Sequence, residues 1–358
     1  MAPHERPPSA ADRRARWWSH DDVRATDRGA ADAADVLWPV EEDFSLAGAT
    51  DWLNSPPLTG AGLRGRVVLV NFWTYTCINW LRQLPVVRSW EDRHRRHGLV
   101  VVGVHSPEFS FEHDLTNVRR AVRDRSISYP VAVDEQFAVW RSFRNHFWPA
   151  LYLVDAGGRL RHHSFGEGGY EETAAVLREL LTEAGAVDLG PEPATVDARG
   201  VEAPADWATL RSAETYLGYD RMSGLASPGG VVPDRPSLYG APAHLRLGHW
   251  ALSGRWAVGR ECAAAQETGG RLTCRFHARD LHLVAAPAAT ASSVRFRLLL
   301  DGRPPGPDHG VDVDAEGRGT ITEPRLHQLL RRQRPGTDAT VEIEFLDPGA
   351  EVYAFTFG

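Results

Sequence analysis

Lysine is missing altogether: the chain of 358 residues carries 40 basic side chains, and every one is arginine. That excludes a lysine Schiff base, the pyridoxal phosphate chemistry that needs one, and a phosphate-binding loop ending in Gly-Lys-Ser/Thr. Cysteine is scarce, with three in the chain, which fits a reducing compartment and argues against a disulfide scaffold. No apolar run approaches the roughly 20 residues that cross a bilayer. The N-terminal stretch "MAPHERPPSAADRRARWWSHDD" lacks the apolar core of a secretory signal. A cytoplasmic protein with no membrane partner is therefore expected. A formal net charge of -7 gives a nucleic-acid backbone little to attract it, and the basic cluster near the N-terminus is read as solvated. No His/Cys/carboxylate spacing marks a metal site, and no cofactor is implied.

What is present divides by grammar. Residues 1–40 read as an arm with the pair Trp17-Trp18 as its one sizeable apolar feature. Residues 41–188 alternate strands and helices: "VVLVNFW" as a buried parallel strand, a helix from Ile78 to about His97 interrupted by Pro85, then "GLVVVGVHS". Further on come a helix in "EHDLTNVRRAVRDRSI", the strand "YPVAVD", a helix in "EQFAVWRSFR", the strands "ALYLVD" and "RLRHHSF", and a final helix "YEETAAVLRELLTEAG". This order predicts an α/β domain with a parallel core and an antiparallel edge. Residues 189–240 are Pro/Gly-rich and aperiodic, as a linker or long connection would be. From 241 to 358 short alternating segments separated by turn residues predict an all-β, jelly-roll-like sandwich of the kind found in carbohydrate-binding modules.

The chemistry gathers at "NFWTYTCINWLRQLP". Cys77 stands where a strand gives way to a helix, so unpaired backbone N–H groups and the positive end of the helix dipole should favour its thiolate. Three residues on, where a second cysteine would resolve a mixed disulfide, stands Trp80, which could wall the site or shield a ligand. At "WTYTCINW" the chain resembles the thioredoxin-like superfamily, and more closely the DipZ/TlpA-type redoxin domain followed by the DipZ C-terminal β-sandwich domain. The similarity continues through "VVVGVHSPEF", "WPALYLVD", "ETYLGY", "HWALSGRWAVG" and "EIEFLDPGAEVYAFTFG", covering about residues 41 to 358. It implies a thioredoxin-like fold, a redox role for Cys77, and a cis bond at Trp148-Pro149 beside the thiol.

The candidate site is thus Cys77 as nucleophile, with Trp73, Thr74, Tyr75, Thr76, Asn79, Trp80, Glu108, Trp148, Pro149 and Glu167 around it. An open pocket lined by Trp73, Tyr75, Trp80 and Trp148 would favour an enzyme for a small apolar substrate; a thiol shut under Trp80 would favour a relic. Three readings stay open. One is a single-cysteine protein working with a low-molecular-weight thiol or performing a repurposed lyase, isomerase or transferase reaction on a small molecule. Another is a non-catalytic binding or scaffolding module. A third, from Thr74 three residues before Cys77, is a one-cysteine thiol peroxidase. Glu108 and Glu167 are most simply solvated loop carboxylates, and His105, Arg82 and His146 are candidates to tune the thiol. Cys262 and Cys274 flank a hairpin and are expected as reduced thiols; His162 and His163 should point to opposite faces of their strand. Trp250 and Trp256 offer a possible carbohydrate platform but are expected in the sandwich core.

Overall fold

The computed structural model describes residues 44–191 and 196–358, so the arm expected over residues 1–40, with Trp17 and Trp18, lies outside the described residues. The α/β part runs β1 (Asp51–Leu53), β2 (Val67–Trp73), α1 (Ile78–His94), β3 (Leu99–His105), α2 (Leu115–Asp124), β4 (Val131–Val133), α3 (Ala138–Ser142), β5 (Ala150–Val154), β6 (Leu160–Phe165) and α4 (Tyr170–Glu183). The six strands lie in the order β1-β4-β3-β2-β5-β6. Strands β2, β3 and β4 pair in parallel, whereas β1, β5 and β6 join antiparallel. Every residue of β2 is buried, as the unbroken apolar run requires of a strand covered on both faces. Helix α1 continues through Pro85, whose missing N–H removes one rung of its ladder, and passes through a short 3-10 turn to Gly98 at φ 99°. Glycine takes that left-handed conformation without steric cost and returns the chain to β3.

The β part comprises β7 (Thr215–Tyr216), β8 (Ser237–Tyr239), β9 (Trp250–Val258), β10 (Ala263–Ala265), β11 (Gly270–Ala278), β12 (Asp280–Pro287), β13 (Val294–Leu300), β14 (Arg318–Ile321), β15 (Arg325–Arg331), β16 (Thr337–Phe345) and β17 (Ala350–Phe357). These 11 strands form one antiparallel sheet curled on itself, in the order β14-β13-β16-β11-β9-β10-β17-β12-β15, with β7 on β17 and β8 on β9. Strand β9 pairs with both β11 and β10 and so joins the two faces that the sequence pattern suggests as a sandwich. Between them lie Leu272, Phe276, Ile343, Leu283 and Phe355, together with Trp250 and Trp256, both fully buried. Those two indoles fill the core and present no platform to a sugar. The stretch 189–240, read from sequence as a connection, contributes β7 and β8; strands of two and three residues are too short to show a period.

The two parts share a core. Val284, Leu326, Tyr353 and Ala354 of the β sheet pack in the same cluster as Trp80, Leu84 and Phe109 of the α/β part. Phe109 and Phe111 meet the Tyr353 ring edge-on at 5.2 and 4.8 Å. Ser110 N–H donates to Glu261 at 2.9 Å, and Arg82 Nη2 donates to the Phe357 carbonyl at 3.3 Å. The described residues accordingly form one compact unit.

Candidate active site

Cys77 is the N-cap residue of α1, with φ -73° and ψ 113°, and its amide closes a turn onto the Thr74 carbonyl at 3.2 Å. The residue is partly exposed. Its Sγ lies 3.7 Å from the Trp148 carbonyl oxygen, next to Pro149, and the Trp148–Pro149 bond is cis. The Trp148 indole is oriented by donating to the Ser106 carbonyl at 3.1 Å and by packing on Trp140 at 4.4 Å. Asp134 supports that loop by accepting from Ser106 Oγ and from the amides of Val139 and Trp140.

Trp80 does not wall the site. It is fully buried, stacked on Trp73 with centroids 4.3 Å apart and 21° between planes. One turn beyond the N-cap, its side chain points from α1 onto β2, where Nε1 donates to Asn71 Oδ1 at 3.1 Å. Asn71 in turn donates to Gln83 Oε1 at 2.7 Å. The position that would hold a second sulfur is occupied by an indole whose polar atom is satisfied inside the sheet. Space for the paired indoles comes from Gly103 on the adjacent β3, where a Cβ would stand 2.9 Å from Trp73 Nε1 and 3.0 Å from the Tyr129 ring.

The aromatic pocket suggested by sequence is therefore not formed: Trp73, Trp80 and Tyr75 are core residues, and of the four only Trp148 is partly exposed. Thr74 is wholly buried, and Asn79 is partly exposed on the first turn of α1. His105 lies beneath the site against Trp73 and Tyr75, and burial drives its imidazole down to about 3, so it stays neutral. Arg82 is turned towards Glu167 and the β sheet, and His146 is exposed. Glu167 is not a solvated carboxylate: it faces the buried Arg82 guanidinium at 3.6 Å.

A residue that the sequence reading missed holds the site loops together. Glu112 is buried, and its Oε1 accepts from Thr76 Oγ1 at 2.7 Å and Thr76 N–H at 3.3 Å. Its Oε2 accepts from Glu108 N–H at 2.6 Å and Phe109 N–H at 3.0 Å. Burial and the neighbouring Glu108 push this carboxyl up to about 7; the four donors pull the other way. Because one carboxylate reaches both backbones, Glu108 is held beside the residue preceding Cys77.

Glu108 also meets the β part. Its Oε1 accepts from Tyr216 Oη at 2.7 Å and from Arg221 Nη1 at 2.8 Å. The Arg221 guanidinium lies over the Tyr216 ring at 3.7 Å, a cation–π contact. Tyr216 Oη is 2.8 Å from Glu214 Oε2 as well. Tyr216 and Cys77 pack partly buried against one core cluster. Burial pushes the Cys77 thiol well above its ordinary value; the N–H groups of Trp80 and Asn79 lower it, while Glu108 and Glu214 add to the rise. The helix-start effect expected from sequence is present but is outweighed.

The other sulfurs do not complete a pair. All three cysteines are free; Cys262 packs on the shared core, and Cys274 lies in the β core. His162 contacts Thr173 and His163 packs on Phe165, on opposite faces of β6. Among the described residues no group of His, Cys, Asp and Glu could hold a metal ion, and no helix is long and apolar enough to cross a membrane.

Comparison with known families gives two matches. Residues 65–160 match a family described as Thioredoxin-like, and residues 212–358 match one described as Thioredoxin like C-terminal domain. The chain carries a thioredoxin-like domain followed by the C-terminal domain that accompanies such domains. Protein DipZ of Mycobacterium bovis is 34% identical to this thioredoxin-like protein over 316 residues, 87% of this chain and 42% of DipZ. The chain thus spans less than half the length of that relative. Thiol-disulfide oxidoreductase YkuV of Bacillus subtilis is 28% identical over 138 residues, 38% of this chain and 93% of YkuV. A solution structure of a thioredoxin-like protein in the oxidised form matches with 28% identity and a TM-score of 0.38, covering 41% of this chain and 99% of its own. The α/β part thus matches a relative named as a thiol-disulfide oxidoreductase over nearly the whole of that relative.

Proposed function

We propose that this thioredoxin-like protein performs thiol–disulfide exchange with one sulfur, Cys77, and takes its second thiol from solution. The observation that carries the reading is the pairing of a partly exposed Cys77 beside Trp148–Pro149 with a Trp80 locked into the core at the second-sulfur position. In the first step the Cys77 thiolate attacks a disulfide R–S–S–R′. A Cys77–S–S–R bond forms, the original S–S bond breaks, and R′S⁻ leaves and is protonated. In the second step a low-molecular-weight thiol attacks the mixed disulfide, releases R–S–S–R″ and restores Cys77. The electrons come from that thiol, so the protein ends as it began.

The peroxidase alternative has less support. A peroxide site needs a hydroxyl and a cation turned to the sulfur, whereas Thr74 is buried and Arg221 is engaged by Glu108. The non-catalytic reading is favoured by the burial around Cys77, which pushes its thiol upward. One experiment decides between them. The reduced protein is incubated at pH 8 with hydroxyethyl disulfide and its mass is read intact, with C77S as control. Exchange predicts one adduct per chain on Cys77, stable until free thiol is added and then lost. A native chain that acquires no adduct, while the urea-unfolded chain does, makes Cys77 a relic.

A further inference from the structure

The β part brings charge close enough to act on Cys77: Tyr216 packs on the same core cluster as the thiol, and Glu108 and Glu214 both push the thiol upward. Glu214 and Tyr216 come from β7 and the residue before it, and Arg221 follows within five residues, in a segment that pairs with β17. Tyr216 has one hydroxyl hydrogen yet stands 2.7 Å from a Glu108 oxygen and 2.8 Å from a Glu214 oxygen. It can donate to only one of them; the other contact is satisfied only when that carboxyl carries a proton. Glu108 is fixed on its far side by Arg221 and by its own amide on Glu112. Glu214 is the solvent-facing member, so it is the one able to gain or release the shared proton. Although one side of Glu214 is open to solvent, burial of the rest of the group and the charge of Glu108 push its carboxyl up to about 7. The charged groups here are Glu108, Glu112, Glu214 and Arg221, with Tyr216 a neutral phenol; Glu112 is likewise pushed up to about 7, so the cluster passes from near neutral to net negative as both carboxyls ionise, and E214Q isolates the share of Glu214.

We infer that Glu214, brought to the thiol by the β part, determines specificity: it makes Cys77 react preferentially with disulfides and thiols bearing a positive charge near the sulfur, such as an aminoethyl group. This rests on the exchange reading above. A cation approaching the sulfur is attracted by the unbalanced carboxylate and an anion is repelled. With partial solvent screening, each effect is worth about a few-fold in rate.

The test uses methanethiosulfonate reagents on the whole chain at low ionic strength: a trimethylammonium-ethyl, a sulfonatoethyl and the neutral methyl compound. In each the Cys77 thiolate forms a new S–S bond and methanesulfinate leaves with the electron pair of the broken bond. Rates are read by mass and divided by those for free cysteine, and the cation-to-anion ratio cancels any change in thiol ionisation. At pH 8.5 the ratio is expected to exceed that of free cysteine by about five-fold. It should fall toward unity in E214Q and at pH 6, be retained in E214D, and be unchanged in E344Q on the far β16. Equal ratios in the native chain and E214Q, with all three reagents reacting, overturn the specificity inference and leave exchange standing. Failure of the neutral reagent to modify the native chain overturns both.

Discussion

A tryptophan in place of a resolving cysteine changes more than redox stoichiometry. Trp80 is enclosed by Trp73, Asn71 and the space left by Gly103, and burying an indole of that size contributes about 4 kcal/mol. Replacing it with cysteine leaves a void against Trp73 and strips Asn71 Oδ1 of its donor. Trp80→Cys is therefore expected to destabilise the chain by about 3–5 kcal/mol, read by chemical denaturation. It should not yield a dithiol of ordinary activity, because Trp73 remains shaped for the indole. A W80C protein as stable as the parent would mean that the core can close over the smaller side chain. The thiol position was legible in "WTYTCINW", since a cysteine between a buried strand and a helix has few placements. The direction of Trp80 was not: a bulky aromatic one turn into a helix fits a pocket wall as well as a core, and only the opposing face of β2 decides.

At the scale of elements, α1 is held through its first turns. The residue before its N-cap is fixed through Thr76 and Glu112; its second turn is fixed through Arg82, set between Glu167 and the last residue of β17. Burial pushes the Glu167 carboxyl up to about 7 in spite of Arg82. A carboxyl whose folded value lies above its unfolded one binds a proton more tightly when folded. Its contribution is complete below about pH 4.5 and is lost as pH rises through 7. Stability by urea denaturation should thus decline between pH 5 and 8, and E167Q should flatten part of that decline. A wild-type curve that instead rises steadily over this window would mean that the Arg82 pairing, not desolvation, dominates. The helices and long strands of the α/β part were legible from their periods. Glu112 was not, because a lone Glu within a polar stretch looks solvated until the loops before and after it are seen to converge on it.

In the whole molecule the β part is not an appendage. It closes the α/β core with Tyr353, Val284 and Leu326 and sets Tyr216 and Arg221 on Glu108. Its all-β character could be read from alternation and turn residues, whereas the stretch before residue 241 read as aperiodic although it holds β7 and β8. That Tyr216 in this stretch meets Glu108 is a contact across 108 residues, beyond the reach of local periodicity. What unites these parts is the claim that one sulfur does the work. The most direct test counts products when pre-reduced protein meets excess hydroxyethyl disulfide with no other thiol present. A single-sulfur site releases one mercaptoethanol per chain and retains one adduct on Cys77. Release of two per chain with no adduct, leaving an internal disulfide, would contradict the account.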